Sequence, residues 1–327
     1  MNNRPAYRFS SCFADHFIAF IAFKRSIGYK YIGEESMLKR LDKFLVAESY
    51  TGVELSQKII EKWLDRKNHE ARRNQLHRVS ITRQLANYLL DRGISAYYPA
   101  NTPVTSKGHS IPYIFTHQQI GNLFKAADAI AQHKRPGGIA AIFPVIVRLL
   151  YSTGARIGEL VRLRWQDIDV QKGVIKIREG KFRKDRLLPL SPQMLNVMRK
   201  YADQHGQCSS DDIVFQNPCG KECHKRSIYT WFRKALFDAG IPHGGRGKGP
   251  RLHDLRHTFA VHNLERWIKE KQDLQVNLTI LVDYLGHENM SGTARYLRLV
   301  PSIYPEIVTR MENSVGRKIK RLRNETD

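Results

Sequence analysis

Cysteine is scarce in this chain. The 327 residues hold four, at positions 12, 208, 219 and 223, too few and too unevenly placed for a disulfide framework, so reduced thiols are expected. Cys219, Cys223 and His224, with Cys208 nearby, make an irregular C-x3-C-H set that suits zinc poorly, and no metal or cofactor is expected. Long apolar runs are missing too. The most apolar stretch, residues 139–151, is shorter than a bilayer span and is interrupted by Pro144 and Arg148. Residues 17–23 are apolar but follow Asp15 and precede no small-residue cleavage site, which argues against export and for a cytoplasmic protein. Acidic residues are outnumbered, 31 against 54 basic ones, for a net charge of +23. That excess points to a polyanion, because each neutralised phosphate releases condensed counterions. Nucleic acid leads and an anionic membrane surface trails. The excess is shared by the residues before and after position 110, so it is no charged tail on a neutral domain.

Apolar residues recur at three and four positions from Ser11 to Arg92, as in Phe13, Phe17, Phe20 and Ile21, the mark of helices that bury one stripe. Helices are predicted near the start and over 34–47, 55–66 and 70–92, with Gly93 ending the last. The segment YYPANTPVTSKGHSIP then carries three prolines among Ser, Thr and Gly and reads as an extended linker. The chain is therefore divided into a helical domain at 1–98, a linker at 99–112 and a larger domain at 113–327. With the first helix so close to the start, no further module is expected ahead of it. In the larger domain, Thr116 and Gln119 look like a capping box. Residues 139–151 read as a buried helix stopped by Gly154, and a short helix then carries Arg156 and Glu159. Residues 174–178 and 186–189 alternate like strands around GKFRKD, a hairpin. Helices resume at Pro192, Lys225 and near His253. The fold class is mainly α, with one small antiparallel sheet.

Four fragments carry the chemistry: TGARIGEL at 153–160, GKFRKDRLLPL at 180–190, LHDLRHTFA at 252–260 and YLGHENMSGTARYLRL at 284–299. Their order and local spacing resemble the catalytic motifs of the tyrosine recombinase (phage integrase) family, over roughly residues 114–300. The resemblance implies a catalytic group of Arg156, Lys181, His253, Arg256, His287 and Tyr296. It also implies a SAM-like helical core-binding domain ahead of a mixed, mostly helical catalytic domain. The activity implied is cleavage and rejoining of DNA through a 3′-phosphotyrosine, by an integrase or transposase type of enzyme. Its partners would be double-stranded DNA with inverted-repeat core sites and three further copies of the chain in a tetramer, acting at the bacterial nucleoid. Two departures stand beside the match. The RWIKEKQDLQVN stretch is longer than the compact family pattern and is expected to add a helical turn or a surface loop. The segment at 303–308 either packs on a neighbouring protomer or caps its own domain.

These residue types suit phosphoryl transfer. A phosphodiester under attack gathers negative charge on its non-bridging oxygens, which planar, permanently charged guanidiniums hold bidentately. Arg156 and Arg256 fit that task. Tyr296 supplies a phenol whose phosphate ester keeps the bond energy for rejoining. A free tyrosine ionises only near pH ~10, so it needs an acceptor, for which His253 is the candidate base. Lys181 is the candidate general acid on the leaving 5′-oxygen, and His287 a hydrogen-bond donor to the phosphate. Glu159 is expected to orient one of these side chains. Taken singly each has an ordinary reading: an arginine in a surface ion pair, a histidine at a helix end, one packed tyrosine among 14. Arg183, Lys184 and Arg186 crowd the hairpin of Lys181, and any of them could face DNA instead. Arg226 and Arg233, beside Tyr229 and Trp231, read either as a face for the major groove or as a solvated face over a packed stripe. Arg73 and Arg78, with Arg72 and Arg83, carry the same two readings, and the closing GRKIKRLRN run tracks phosphates or stays disordered. Two other functions fit the scaffold: a relaxing enzyme of the type IB topoisomerase kind, and a catalytically silent DNA-binding regulator.

Overall fold

The computed structural model describes residues 7–68, 70–100, 111–132, 138–178, 185–206, 208–245, 249–286, 293 and 296–300. The chain divides into two compact units, Met1–His109 and Ser110–Asp327. Among its described residues the first holds four helices, α1 (Ala14–Ser26), α2 (Ile32–Ala47), α3 (Gln57–Leu64) and α4 (Arg72–Leu90). Phe13, Phe17 and Phe20 recur along one face, and they bury against Leu38, Leu41 and Leu45 of α2 and Leu85 and Leu89 of α4. Helix α4 gives way at Gly93, whose φ of 74° suits a residue without Cβ.

The second unit begins with α5 (His117–Gln132) and α6 (Ile139–Thr153). The predicted capping box opens α5: Gln119 N donates to Thr116 Oγ1 at 3.1 Å, and Thr116 N donates to Gln119 Oε1 at 3.0 Å. Helix α6 is apolar nearly all round and lies buried in the core. Burial of its Ile142, Phe143, Ile146, Val147, Leu149 and Leu150 contributes on the order of 10 kcal/mol before conformational entropy is subtracted. Gly154 ends it with a φ of 60°. A short α7 (Ile157–Leu160) follows, then a three-stranded antiparallel sheet of β1 (Ile168–Asp169), β2 (Val174–Ile177) and β3 (Arg186–Pro189) in that order. Strands β2 and β3 form the predicted hairpin, pairing Val174 with Pro189 and Ile177 with Arg186. Strand β1 was not anticipated, because its two residues are too few to show an alternation.

Helices α8 (Pro192–His205), α9 (Lys225–Asp238), α10 (Leu252–Lys269) and α11 (Leu274–Leu285) follow. The RWIKEKQDLQVN stretch forms the end of α10 and the start of α11, joined by a turn in which Lys271 takes a φ of 54°. Asp273 Oδ1 accepts from Gln275 N at 2.8 Å and so caps α11. No helix among the described residues is long and apolar enough to cross a membrane.

Candidate active site

Three guanidiniums meet at the carboxyl end of α11. Gly286 closes that helix at a φ of 64°, leaving its last carbonyls without partners inside the helix. Arginines take them in turn. Arg186 Nε donates to Tyr284 O at 3.0 Å, Arg256 Nη2 to Leu285 O at 2.6 Å and Arg156 Nη2 to Gly286 O at 3.3 Å. Cations are favoured there because the helix dipole ends in partial negative charge. Arg256 Nη1 also donates to Gly154 O at 2.8 Å, which ties the end of α6 to α10. Gly154 is required on two counts. Its φ is left-handed, and a Cβ would stand 2.7 Å from Phe259 Cδ1 and 3.0 Å from Leu285 Cδ2.

Like charges this close need a counter-charge, and Glu159 supplies it from α7. Arg186 grips its carboxylate in a fork, Nη1 to Oε1 at 3.0 Å and Nη2 to Oε2 at 2.7 Å. Arg156 adds its backbone N–H to Oε2 at 2.8 Å and its Nη1 to Oε1 at 2.9 Å. Burial by itself would raise the Glu159 carboxyl, but the Arg186 bonds and charge, then those of Arg156, outweigh it and hold the group at about 2. Burial, followed by the like charge of Arg156, draws the Arg256 guanidinium down to about 10, so it is still cationic at neutral pH. Tyr296 and Glu159 act on it in the opposite direction, which places the phenol in the same electrostatic neighbourhood.

Tyr296 precedes a 3-10 turn, Leu297–Leu299, and is fully covered, at 0% exposure. Its hydroxyl is hydrogen-bonded to His257 Nδ1 at 2.9 Å, with the direction set by the tautomer. His253, one turn earlier on α10, lies edge to face on His257 with ring centroids 4.7 Å apart. The expected base was His253; the imidazole on the phenol is its neighbour in the same motif. His257 was legible as the residue after Arg256 and four positions from His253, a spacing that puts two imidazoles on one helix face. Arg186 was likewise read only as a basic residue of the hairpin, whereas it points inward and pins Glu159. Arg156, Arg256 and Tyr296 come together with these. Lys181 and His287, with Arg183, Lys184, the segment at 303–308 and the basic run at the end, lie outside the described residues.

Among the residues weighed for DNA contact, Arg73, Arg226 and Arg233 are exposed. Arg78 is not, and the expectation for it is corrected. At 3% exposure it donates to Trp63 O at 2.6 Å and Asp65 O at 3.0 Å, pairs with Glu70 and lies over the Trp63 ring. Its position on the inner face of α4 commits it to holding α3. Arg83 similarly donates to Pro99 O at 3.0 Å. On α9, Tyr229 and Trp231 pack against the core, so the aromatics do not share the solvent face of Arg226 and Arg233.

Comparison with known proteins gives the family and the fold. Residues 114–302 match the model of the phage integrase family. A putative integrase/recombinase, y4rB of Sinorhizobium fredii, is 27% identical over 300 residues, covering 90% of this chain and 95% of that protein. The tyrosine recombinase XerC of Pelobacter propionicus is 25% identical over 264 residues, 79% of this chain and 81% of that one. Among solved structures, XerH site-specific recombinase bound to a palindromic difH substrate in a post-cleavage complex superposes with a TM-score of 0.61. At 15% identity it covers 86% of this chain and 78% of its own, and it shares the fold.

Proposed function

The chain belongs to the phage integrase family of tyrosine recombinases, and on that premise we propose that it is a site-specific recombinase that cuts and rejoins DNA through Tyr296. The observation that carries this reading is the set of arginines and the carboxylate gathered beside a phenol that is hydrogen-bonded to an imidazole. The Tyr296 oxygen attacks the scissile phosphorus, the bond to the 5′-oxygen breaks, and a 3′-phosphotyrosine ester forms. The phenol loses a proton and the 5′-oxygen gains one. Attack on the ester by a 5′-hydroxyl from another strand runs the same exchange in reverse and completes the joint.

Each residue then has a task. Arg156 and Arg256 hold the non-bridging oxygens. Arg256 gives one N–H of each Nη to a carbonyl, and each Nη carries a second N–H that can serve phosphate. The existing hydrogen bond favours His257 over His253 as the group that takes the phenol proton. Lys181 protonates the leaving 5′-oxygen and His287 donates to a phosphate oxygen, roles that rest on their motifs. Glu159 and Arg186 are positioning residues. Because the phenol is covered, the segment that bears Tyr296 has to turn its hydroxyl outward before cleavage.

The partner is double-stranded DNA. Two duplexes exchanging both strands present four scissile phosphates and require four nucleophiles, so the acting form is a tetramer on paired inverted-repeat sites. The helical unit at 1–98 binds the core site, and Arg73, Arg226 and Arg233 contribute phosphate contacts. The cytoplasm, at the nucleoid, is the compartment where that substrate lies. A duplex nicked next to the cleavage point, which traps the ester by losing the 5′ fragment, tests the proposal. Wild type is expected to form a covalent protein–DNA adduct and Tyr296→Phe none. Specific binding without an adduct would make the chain a regulator, and relaxation of supercoiled plasmid without site preference would make it a topoisomerase.

A further inference from the structure

Beyond Arg256 on α10, His262 and Glu265 stand three positions apart on one helix face and meet His117, the first residue of α5. One donor atom from each of the three lies within 4.8 Å of the others. They border a cavity of about 540 Å³ that also takes in Tyr151 and Phe259. We propose that His117, His262 and Glu265 form a binding site for a divalent transition-metal ion of the zinc class, which would clamp the start of α5 to α10. Nothing in the recombinase reading calls for it.

Two imidazoles and one carboxylate are a ligand set that zinc accepts, with a water completing the tetrahedron. The arrangement supplies what such a set needs around it. Tyr151 OH is hydrogen-bonded to His262 Nδ1 at 2.9 Å. That outer contact holds the ring of a metal-binding histidine in place, and the ring's bond to the Phe115 carbonyl is the one a metal ion would replace.

Closure requires a small movement. Bonds of about 2.1 Å to a tetrahedral ion place donors roughly 3.4 Å apart. The rings of His117 and His262 are stacked at 3.9 Å. Rotation of the exposed His117 brings its nitrogen toward the other two. Arg266 and Lys269 line the same cavity and the α5 N-terminus carries partial positive charge, so the Glu265 carboxylate is what offsets them. The cysteines do not make a rival cluster among the described residues: Cys208 and Cys219 are exposed, Cys223 is buried, and none joins a group of three donors.

Calorimetric titration of the full chain, without a histidine tag, with zinc chloride tests the site. One ion per chain is expected, with affinity reduced at least 10-fold in His117→Ala and in Glu265→Gln. His117 is exposed, so its variant folds, and the melting temperature should rise with zinc in wild type but not in that variant. Cobalt provides a second readout. Visible bands without a thiolate charge-transfer band support the site, whereas a thiolate band, absence of binding, or unchanged affinity in both variants overturns it.

Discussion

Replacing Glu159 by Gln is the sharpest test of how the site is held. The substitution keeps shape and removes one negative charge from beneath Arg156 and Arg186. Two routes to the magnitude agree. Removing one partner of a buried ion pair costs about 3–5 kcal/mol, because the other charge stays behind. Independently, a carboxyl held at about 2 against an ordinary 4.5 is stabilised by about 3 kcal/mol, at 1.36 kcal/mol per pH unit. The sign follows from the depressed value. The contribution is complete above the unfolded pKa near 4.5 and is lost as pH falls through the folded pKa near 2. At 2–4 °C per kcal/mol, the catalytic unit of E159Q should melt about 6–12 °C below wild type at pH 7. That gap should persist to about pH 5 and shrink toward pH 2, as the native carboxylate takes up its proton. Scanning calorimetry across this range measures both features. Arg186→Met added to E159Q should recover part of the loss, since the pair is then removed together. A drop below about 2 °C, or a gap indifferent to acid, would refute the argument that Glu159 neutralises this cluster.

Three further outcomes follow from the same geometry. His257→Asn should slow cleavage of saturating nicked DNA by about 100-fold or more and change the acidic limb of the pH–rate profile, where a general base gains its proton; a change under 3-fold, with a large loss in His253→Asn, would give the base to His253. Gly154→Ala should destabilise the unit by about 1–3 kcal/mol, through a strained backbone and a Cβ 2.7 Å from Phe259, visible as a lower midpoint in urea. Cleavage should survive chelator at full rate, because fixed guanidiniums do the work of a Lewis acid on the phosphate; a rate restored only by added metal would contradict it. Chelation should remove only the added stability assigned to zinc at His117.

Much of this protein was determined by its sequence alone. The helical stripes, the stop at Gly154, the capping box at Thr116 and the hairpin from 174 to 189 are local, because period, glycine and cap chemistry act within a few residues. The ordered motifs around Arg156, Arg256 and Tyr296 likewise identified the reaction class. Tertiary structure decided which side chains face which. Arg78 and Arg73 look alike in the sequence, but the turn of α4 sends one to Trp63 and the other to solvent. Arg186 looked like one more basic residue of a hairpin until packing brought the Tyr284 carbonyl of α11 and Glu159 of α7 to it. His257 meets Tyr296 across 39 positions, and no periodicity reaches that far. Contacts between remote segments depend on how whole elements fill a shared core, and one-dimensional patterns carry no record of that.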